Sequence, residues 1–167
     1  YNSAIQAKSE LEATKPIEVV DSATVSMALG LIVIRAAKIA KNGGTLDQVL
    51  KEIEDCLSKS EVLVVLDTLE YLEKGGRIGK ARALIGSILS LKPILTVADG
   101  IVDTFGKART FTKAMNSLEE AIKGFTPVTD VSVFYSTDKD ISDDMLDRLS
   151  DIVEPDRLVV SRIGPTV

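Results

Sequence analysis

A long apolar run near the start of the chain restricts the possible folds more than any other feature. It extends from about Val25 to Lys41 and is followed by Asn42-Gly43-Gly44, a sequence that commonly ends a helix. A helix that is apolar on nearly every face must be covered on nearly every side. The most apolar part, Met27 to Ala40, is shorter than the roughly twenty residues that cross a bilayer, and it contains Arg35 and Lys38. We therefore expect a buried helix and no integral membrane contact.

Strand-like runs alternate with helical stripes along the rest of the chain, which is typical of the α/β class. Short β-rich runs predict strands near residues 17–20, 61–66, 92–97, 131–135 and 158–160. Apolar residues at helical spacing predict helices near residues 46–58, 81–89 and 111–125. The Ala98-Asp99-Gly100 turn predicts a hairpin, so we expect the second sheet to be mixed. Thr45 and Gln48 have the spacing of a capping box, and Ser142 is expected to cap a further helix.

The composition narrows the chemistry that the chain can support. It contains no histidine, which is the commonest general base and metal ligand, and one cysteine, Cys56, which excludes an internal disulfide and a cysteine-based zinc site. The net charge is −5 and aromatic residues make up 4%, so we expect no nucleic-acid partner. The acidic segment 138–156 lacks the ordered spacing of a calcium loop, so no metal site is expected. With no signal peptide visible, we expect a cytoplasmic protein.

The most unusual stretch is a glycine-rich basic loop, Lys74-Gly75-Gly76-Arg77-Ile78-Gly79-Lys80. It does not fit a nucleotide P-loop, because Lys74 stands where the first glycine is required and Ala81 stands where a hydroxyl should hold magnesium. Two interpretations stay open. The loop is either a helix end, a turn and the next helix start with solvated charges, or a surface that recognises an anion or a phosphorylated partner through Arg77.

An apolar stripe downstream of this loop also has two interpretations. It consists of Leu84, Ile85, Ile88 and Leu89. Such a stripe is commonly plain core. Its small neighbours Gly86, Ser87 and Ser90 would also leave room for a slender apolar ligand.

The stretch from Asp67 to Lys80, together with Leu91-Lys92-Pro93-Ile94-Leu95-Thr96, closely resembles the DegV family of bacterial fatty-acid-binding proteins. Three further segments resemble the same family in the same order along the chain: Asp21-Ser22 followed by Val25 to Gly30, then Lys107 to Thr110, then Ser161 to Pro165. The resemblance implies a two-domain α/β protein, with a Rossmann-like parallel part in residues 1–59 and a mixed-sheet lipid-binding domain in residues 60–167. It also implies that the chain is a fragment truncated at both ends, with the groups that hold the ligand carboxylate outside it.

By the same resemblance, the function is expected to be that of a carrier and not of an enzyme. A long-chain fatty acid would lie in a tunnel between the domains, with no other cofactor, and its carboxylate would be presented to a separate fatty-acid kinase. Arg77 and Arg109 match basic family positions and are candidates for contact with this partner. Leu84, Ile85, Ile88 and Leu89 are candidates for the tunnel wall. Two alternatives are a phosphoryl-transfer enzyme that uses Lys80 and the glycines, and an interaction module without a ligand.

Overall fold

Helices and strands alternate through most of the chain in the computed structural model, which describes residues 1–86, 91–125 and 127–164. The helices are α1 (Asn2–Glu10), α2 (Ser26–Lys41), α3 (Leu46–Lys59), α4 (Glu70–Lys74), α5 (Phe111–Gly124) and α6 (Lys139–Leu149). The strands are β1 (Leu63–Val65), β2 (Lys92–Ala98), β3 (Ile101–Ala108), β4 (Val131–Tyr135) and β5 (Leu158–Arg162). Two short 3₁₀ helices occupy Gly79–Leu84 and Pro155–Arg157. The predicted α/β class is confirmed.

Residues 1–59 contribute three helices and no strand. The strand expected at residues 17–20 is therefore wrong, since this segment has no hydrogen-bonded neighbouring strand and strand formation requires one. The capping box at the start of α3 is confirmed, because the Thr45 amide donates to Gln48 Oε1 at 2.8 Å and the Gln48 amide donates to Thr45 Oγ1 at 3.3 Å. The parallel arrangement expected in this part is not formed by its described residues.

Helix α2 is much less covered than its sequence suggested. It packs against α3, yet Ile32 is its one buried residue. Leu29, Val33 and Ile34 are 37%, 57% and 43% exposed. The expectation that this helix is covered on nearly every side is thus wrong for the described part of the chain, where its outer face meets no other layer.

The three strands β1, β2 and β3 form an antiparallel sheet with β2 in the centre. Leu95 points to one face, where it packs with Leu69 at the start of α4, and with Ile78 and Ala81 at the start of the following 3₁₀ helix. Ile94 points to the other face, because successive strand residues alternate, and it packs with Ala108 and with Ala114 of α5. The sheet is thus covered by helical segments on both sides.

The predicted hairpin between β2 and β3 is confirmed. Asp99 and Gly100 adopt positive φ angles of 51° and 75°, as the two central residues of a tight hairpin turn commonly do. The register shifts between Ile94 and Leu95, so β3 carries one extra residue at this point. The turn at Gly100 lies close to Ala23 in the segment before α2, and this contact joins the first part of the chain to the sheet.

The remaining strands, β4 and β5, form a separate parallel pair. Met115 of α5 and Met145 and Leu149 of α6 bury one face of this pair against Val131 and Val133. Among the described strands, parallel and antiparallel pairing therefore occur in different sheets, and not within the single mixed sheet that was expected. No helix in the described part of the chain is long and apolar enough to span a membrane.

Candidate functional site

The glycine-rich basic loop follows α4 and reverses the chain direction. The Gly75 amide donates to the Tyr71 carbonyl at 2.9 Å and the Arg77 amide donates to the Leu72 carbonyl at 2.8 Å, which satisfies the last carbonyls of the helix. Gly76 lies between them with φ of +68°, in the left-handed region that favours glycine. The structure thus shows a helix end and a turn, followed directly by the 3₁₀ helix that begins at Gly79.

Four cations lie in this loop and in the 3₁₀ helix that follows it, and three of them are paired with carboxylates. Lys74 binds Glu70, Lys80 lies 3.3 Å from Asp103, and Arg82 lies 3.7 Å from Glu73. The amide of Thr104 and then Lys80 hydrogen-bond to the Asp103 carboxylate, which lowers its pKa. Lys80 therefore contributes to the attachment of the loop to β3.

Arg77 is the fourth cation, and it is arranged differently from the other three. Its Nη1 donates to the Gly75 carbonyl at 2.8 Å, so the guanidinium is held against its own loop. Among the described residues it forms no ion pair. This leaves an exposed guanidinium, a group whose planar donors suit a carboxylate or a phosphate.

Arg109, the second candidate for partner contact, lies at the other end of β3. It follows the last strand residue, Ala108, and precedes Thr110, whose Oγ1 accepts from the Lys113 amide and caps α5. Its side chain is exposed and has no ion pair in the described parts of the chain. At about 3.3 Å per strand residue, Arg109 is about 23 Å from Val102, beside which Gly79 packs. The structure therefore places the two candidate arginines toward opposite ends of one strand.

The four candidates for a tunnel wall have different surroundings. Leu84 ends the 3₁₀ helix and packs against the cluster around Leu95. Ile85, the next residue, is 43% exposed. Ile88 and Leu89 lie outside the described residues. Leu84 is thus partly buried against the core, whereas Ile85 presents apolar surface to the outside of this chain.

An apolar groove along α2 was not anticipated from the sequence. It has a volume of about 440 Å³ and lies between α2, α3 and the extended segment before α2. Val20, Leu29, Val33, Val49 and Ile53 are among the side chains that line it. The sequence indicates such a surface, since a helix that is apolar on nearly every face needs partners on nearly every side, but it does not show which faces the chain itself covers.

Cys56 is a buried thiol on α3. It is 8% exposed, and its Sγ lies 3.6 Å from Glu52 Oε1. Burial, followed by the negative charge of Glu52, raises the pKa of the thiol, so the reactive thiolate is disfavoured. Within residues 1–86, 91–125 and 127–164, no three potential metal-ligating side chains come together.

Comparison with known proteins identifies a family for the whole chain. The family model described as "Uncharacterised protein, DegV family" matches residues 1–167. A DegV domain-containing protein of Streptomyces coelicolor is 38% identical over 160 residues, which are 93% of this chain and 57% of the relative. The chain therefore spans a little over half the length of this relative.

Solved structures of the same family have the same fold. A DegV family protein from Thermus thermophilus, whose structure is described as showing fatty acid binding, superposes with a TM-score of 0.87 at 31% identity over 96% of this chain and 58% of its own. A fatty acid binding DegV family protein from Streptococcus agalactiae gives a TM-score of 0.85 at 28% identity over 97% and 58%. The two structures have the α/β fold described above. On these grounds the chain belongs to the DegV family.

Proposed function

We propose that the protein containing this chain binds a long-chain fatty acid and carries it without catalysing a reaction. The observation that carries this proposal is the likeness, over almost the whole chain, to two structures of fatty-acid-binding relatives. Burial of an extended acyl chain contributes about 0.8 kcal/mol per methylene, so a tunnel wall needs apolar side chains and no special chemistry. A cytoplasmic location stays a prediction.

The fatty acid is proposed to lie between two domains, of which residues 1–59 and 60–167 each form a part. The contact between Ala23 and Gly100 supports this placement, because it is where the segment before α2 meets the sheet. Ile85 supplies exposed apolar surface on the second part, and Leu84, Ile88 and Leu89 are proposed to line the tunnel with it. Of these, Leu84 is partly buried and also packs against the core cluster around Leu95.

The groove along α2 has a different role in this proposal. We propose that further strands of the same domain fill this groove. These strands would come from sequence that the longer relatives have and this chain lacks. Here an apolar helix lies beside an extended segment that has no strand partner. One helical layer of an α/β domain has this arrangement when the sheet that it covers is missing. The groove is therefore proposed as an intradomain contact and not as the lipid tunnel.

A separate fatty-acid kinase is the proposed partner of the loaded carrier. Arg77 and Arg109 are both exposed and unpaired with acids among the described residues, so each offers a guanidinium to an acidic partner surface. Because they lie toward opposite ends of β3, such a partner would have to extend along this strand to contact both.

The proposal is tested by titrating delipidated complete protein with oleate in a calorimeter, with methyl oleate as the matched control. One oleate is expected per protein molecule, and the ester is expected to bind more weakly because it lacks the charged carboxylate. The 167-residue chain alone is expected to bind oleate poorly, since the proposed carboxylate-binding groups lie outside it. Failure of the complete protein to take up either oleate or palmitate would refute the carrier function.

A further inference from the structure

A line of four alternating charges connects α3 and α2 to the layer formed by β4 and β5. Glu52 of α3 lies 3.7 Å from Arg35 Nη1 on α2, and Arg35 Nε lies 3.9 Å from Asp130 Oδ2. The other oxygen of Asp130 accepts from Arg157 Nη1 at 3.3 Å, and Arg157 ends the 3₁₀ helix before β5. Asp130 is therefore shared by one arginine from each side.

A polar cleft of about 350 Å³ opens beside these charges. Arg35 lines it from α2, while Thr129, Ser150, Asp151 and Arg157 line it from the opposite side. The Asp130 side chain is 19% exposed and that of Arg35 is 36% exposed, so water reaches the pair only in part. The Arg35–Asp130 pair joins α2 to the segment just before β4, and the contact of Ala23 with Gly100 joins the segment before α2 to the β2–β3 turn.

We propose that the Arg35–Asp130 pair is an ionic latch that holds α2 against the β4–β5 layer and limits the opening of the two parts of the fold. The latch rests on the proposed function, since its use would be to slow the escape of a fatty acid bound between these parts. Residues 1–59 would pivot on the Ala23–Gly100 contact when the latch opens. The cleft beside the pair provides the space in which the two sides separate or approach.

The geometry suits a latch that opens readily. Ion pairs at 3.9 Å with partial exposure are weak and are screened by salt. Each charge of the pair also contacts a second group: Arg35 contacts Glu52, and Asp130 contacts Arg157. Both charges therefore stay in position when the pair separates. Loss of Asp130 would leave Arg35 and Arg157 facing each other without the carboxylate between them, which favours the open state.

The test compares four forms of the complete protein loaded with a fluorescent fatty acid: wild type, Arg35→Gln, Asp130→Asn and the double variant. Stopped-flow dissociation into excess albumin gives the rate of escape. Asp151→Asn serves as control, because it removes a carboxylate from the same cleft without an ion pair in the described part of the chain. Hydrogen exchange in residues 31–39 and 128–131 gives a second readout that does not depend on lipid.

A latch predicts that each single variant raises the dissociation rate about two- to fivefold, the range expected for a partly exposed pair. The double variant should be no faster than Asp130→Asn, since both changes remove the same contact. Raising the salt should accelerate the wild type toward the rate of the variants and leave the double variant nearly unchanged. Exchange should rise in both segments in the variants, and Asp151→Asn should match wild type.

Wild-type rates and wild-type exchange in Arg35→Gln would overturn the latch, as would fully additive effects in the double variant. A complete protein that binds no fatty acid would refute the carrier function instead. In that case hydrogen exchange alone decides whether Arg35 and Asp130 hold the two sides together.

Discussion

Gly79 packs against the backbone of Val102 so closely that a Cβ on Gly79 would overlap the Val102 carbonyl oxygen. Gly79 also has φ of +51°, in the region that favours glycine. This contact fixes the start of the 3₁₀ helix on β3, next to the pairing of Lys80 with Asp103. The third glycine of the basic loop is thus explained by close approach of two backbones and not by phosphate binding.

The contact predicts that Gly79→Ala is strongly destabilising. The left-handed conformation costs an alanine about 1–2 kcal/mol, and displacement of β3 adds to this, so we expect a total loss of about 2–4 kcal/mol. Gly76→Ala is the matched control, because Gly76 has φ of +68° and nothing within 4 Å of the added methyl. Gly76→Ala should lose only the part of the stability that comes from the left-handed backbone conformation. Urea unfolding of both variants measures the difference, and equal losses would contradict the close contact.

Some of this loop was predictable from the sequence and some was not. Gly75 and Gly76 after Lys74 predict a helix end, because terminal carbonyls need donors and glycine adopts the left-handed conformation that supplies them. Gly79 gives the same local signal, yet its role depends on Val102, which is distant in sequence and paired with β2. The contact partner of a glycine follows from the tertiary fold, and local spacing contains no information about it.

The same distinction applies to other elements. The hairpin at Asp99-Gly100 and the cap at Thr45 were predicted correctly, since their hydrogen bonds connect near neighbours. Ser142 was expected to cap α6, but Asp138 caps it, with Oδ1 accepting from the Asp140 amide at 3.0 Å. Ser142 is instead fully buried in the helix, and its hydroxyl donates to the Lys139 carbonyl at 2.6 Å. Asp and Ser are comparable caps, so the choice between them rests on which position packs inward.

Leu84 and Ile85 are expected to respond differently to truncation. Leu84→Ala should lower the free energy of unfolding by about 1–2 kcal/mol, because Leu84 packs against the core but is only partly buried. Ile85→Ala should cost less than about 1 kcal/mol, since this side chain is 43% exposed. If Ile85 lines the tunnel, Ile85→Asp in the complete protein should weaken oleate binding at unchanged stability. Wild-type affinity in Ile85→Asp would remove Ile85 from the tunnel wall.

Glu119 links α5 to α6 and should make stability depend on pH. It accepts from Lys123 at 2.7 Å and from Arg148 at 3.0 Å, and these hydrogen bonds lower the pKa of the carboxyl group. Because the pKa is lowered in the folded state, the ionised group stabilises the protein at pH values above the ordinary glutamate pKa of about 4.3. This contribution is lost as the pH falls through the lowered pKa.

The effect is measured by comparing Glu119→Gln with wild type in urea. The variant should be less stable at pH 7, and the gap should narrow steadily as the pH is lowered below about 4.3. Glu120→Gln is the control, since Glu120 is exposed and has no ion pair among the described residues. A gap between Glu119→Gln and wild type that stays constant from pH 7 to pH 3 would show that the charge of Glu119 does not contribute.

Variants of Arg77 and Arg109 distinguish whether the proposed kinase docks at one end of β3 or along the whole strand. Arg77→Glu and Arg109→Glu in the complete protein should keep the fold and the lipid content, because neither arginine forms an ion pair in the described structure. If the proposed kinase docks through these arginines, each variant should lower the rate at which it phosphorylates the bound fatty acid, by about tenfold or more for a reversed charge at the interface. A loss in one variant only would place the partner at one end of β3. Full turnover with both variants would remove both arginines from the interface.

The most direct test of the carrier account is native mass spectrometry of the complete protein purified from bacteria, followed by solvent extraction of its ligand. The account predicts a mass increase equal to one long-chain fatty acid per protein molecule and recovery of that acid in the extract. A protein that is empty on purification and stays empty after incubation with oleate and palmitate would contradict it.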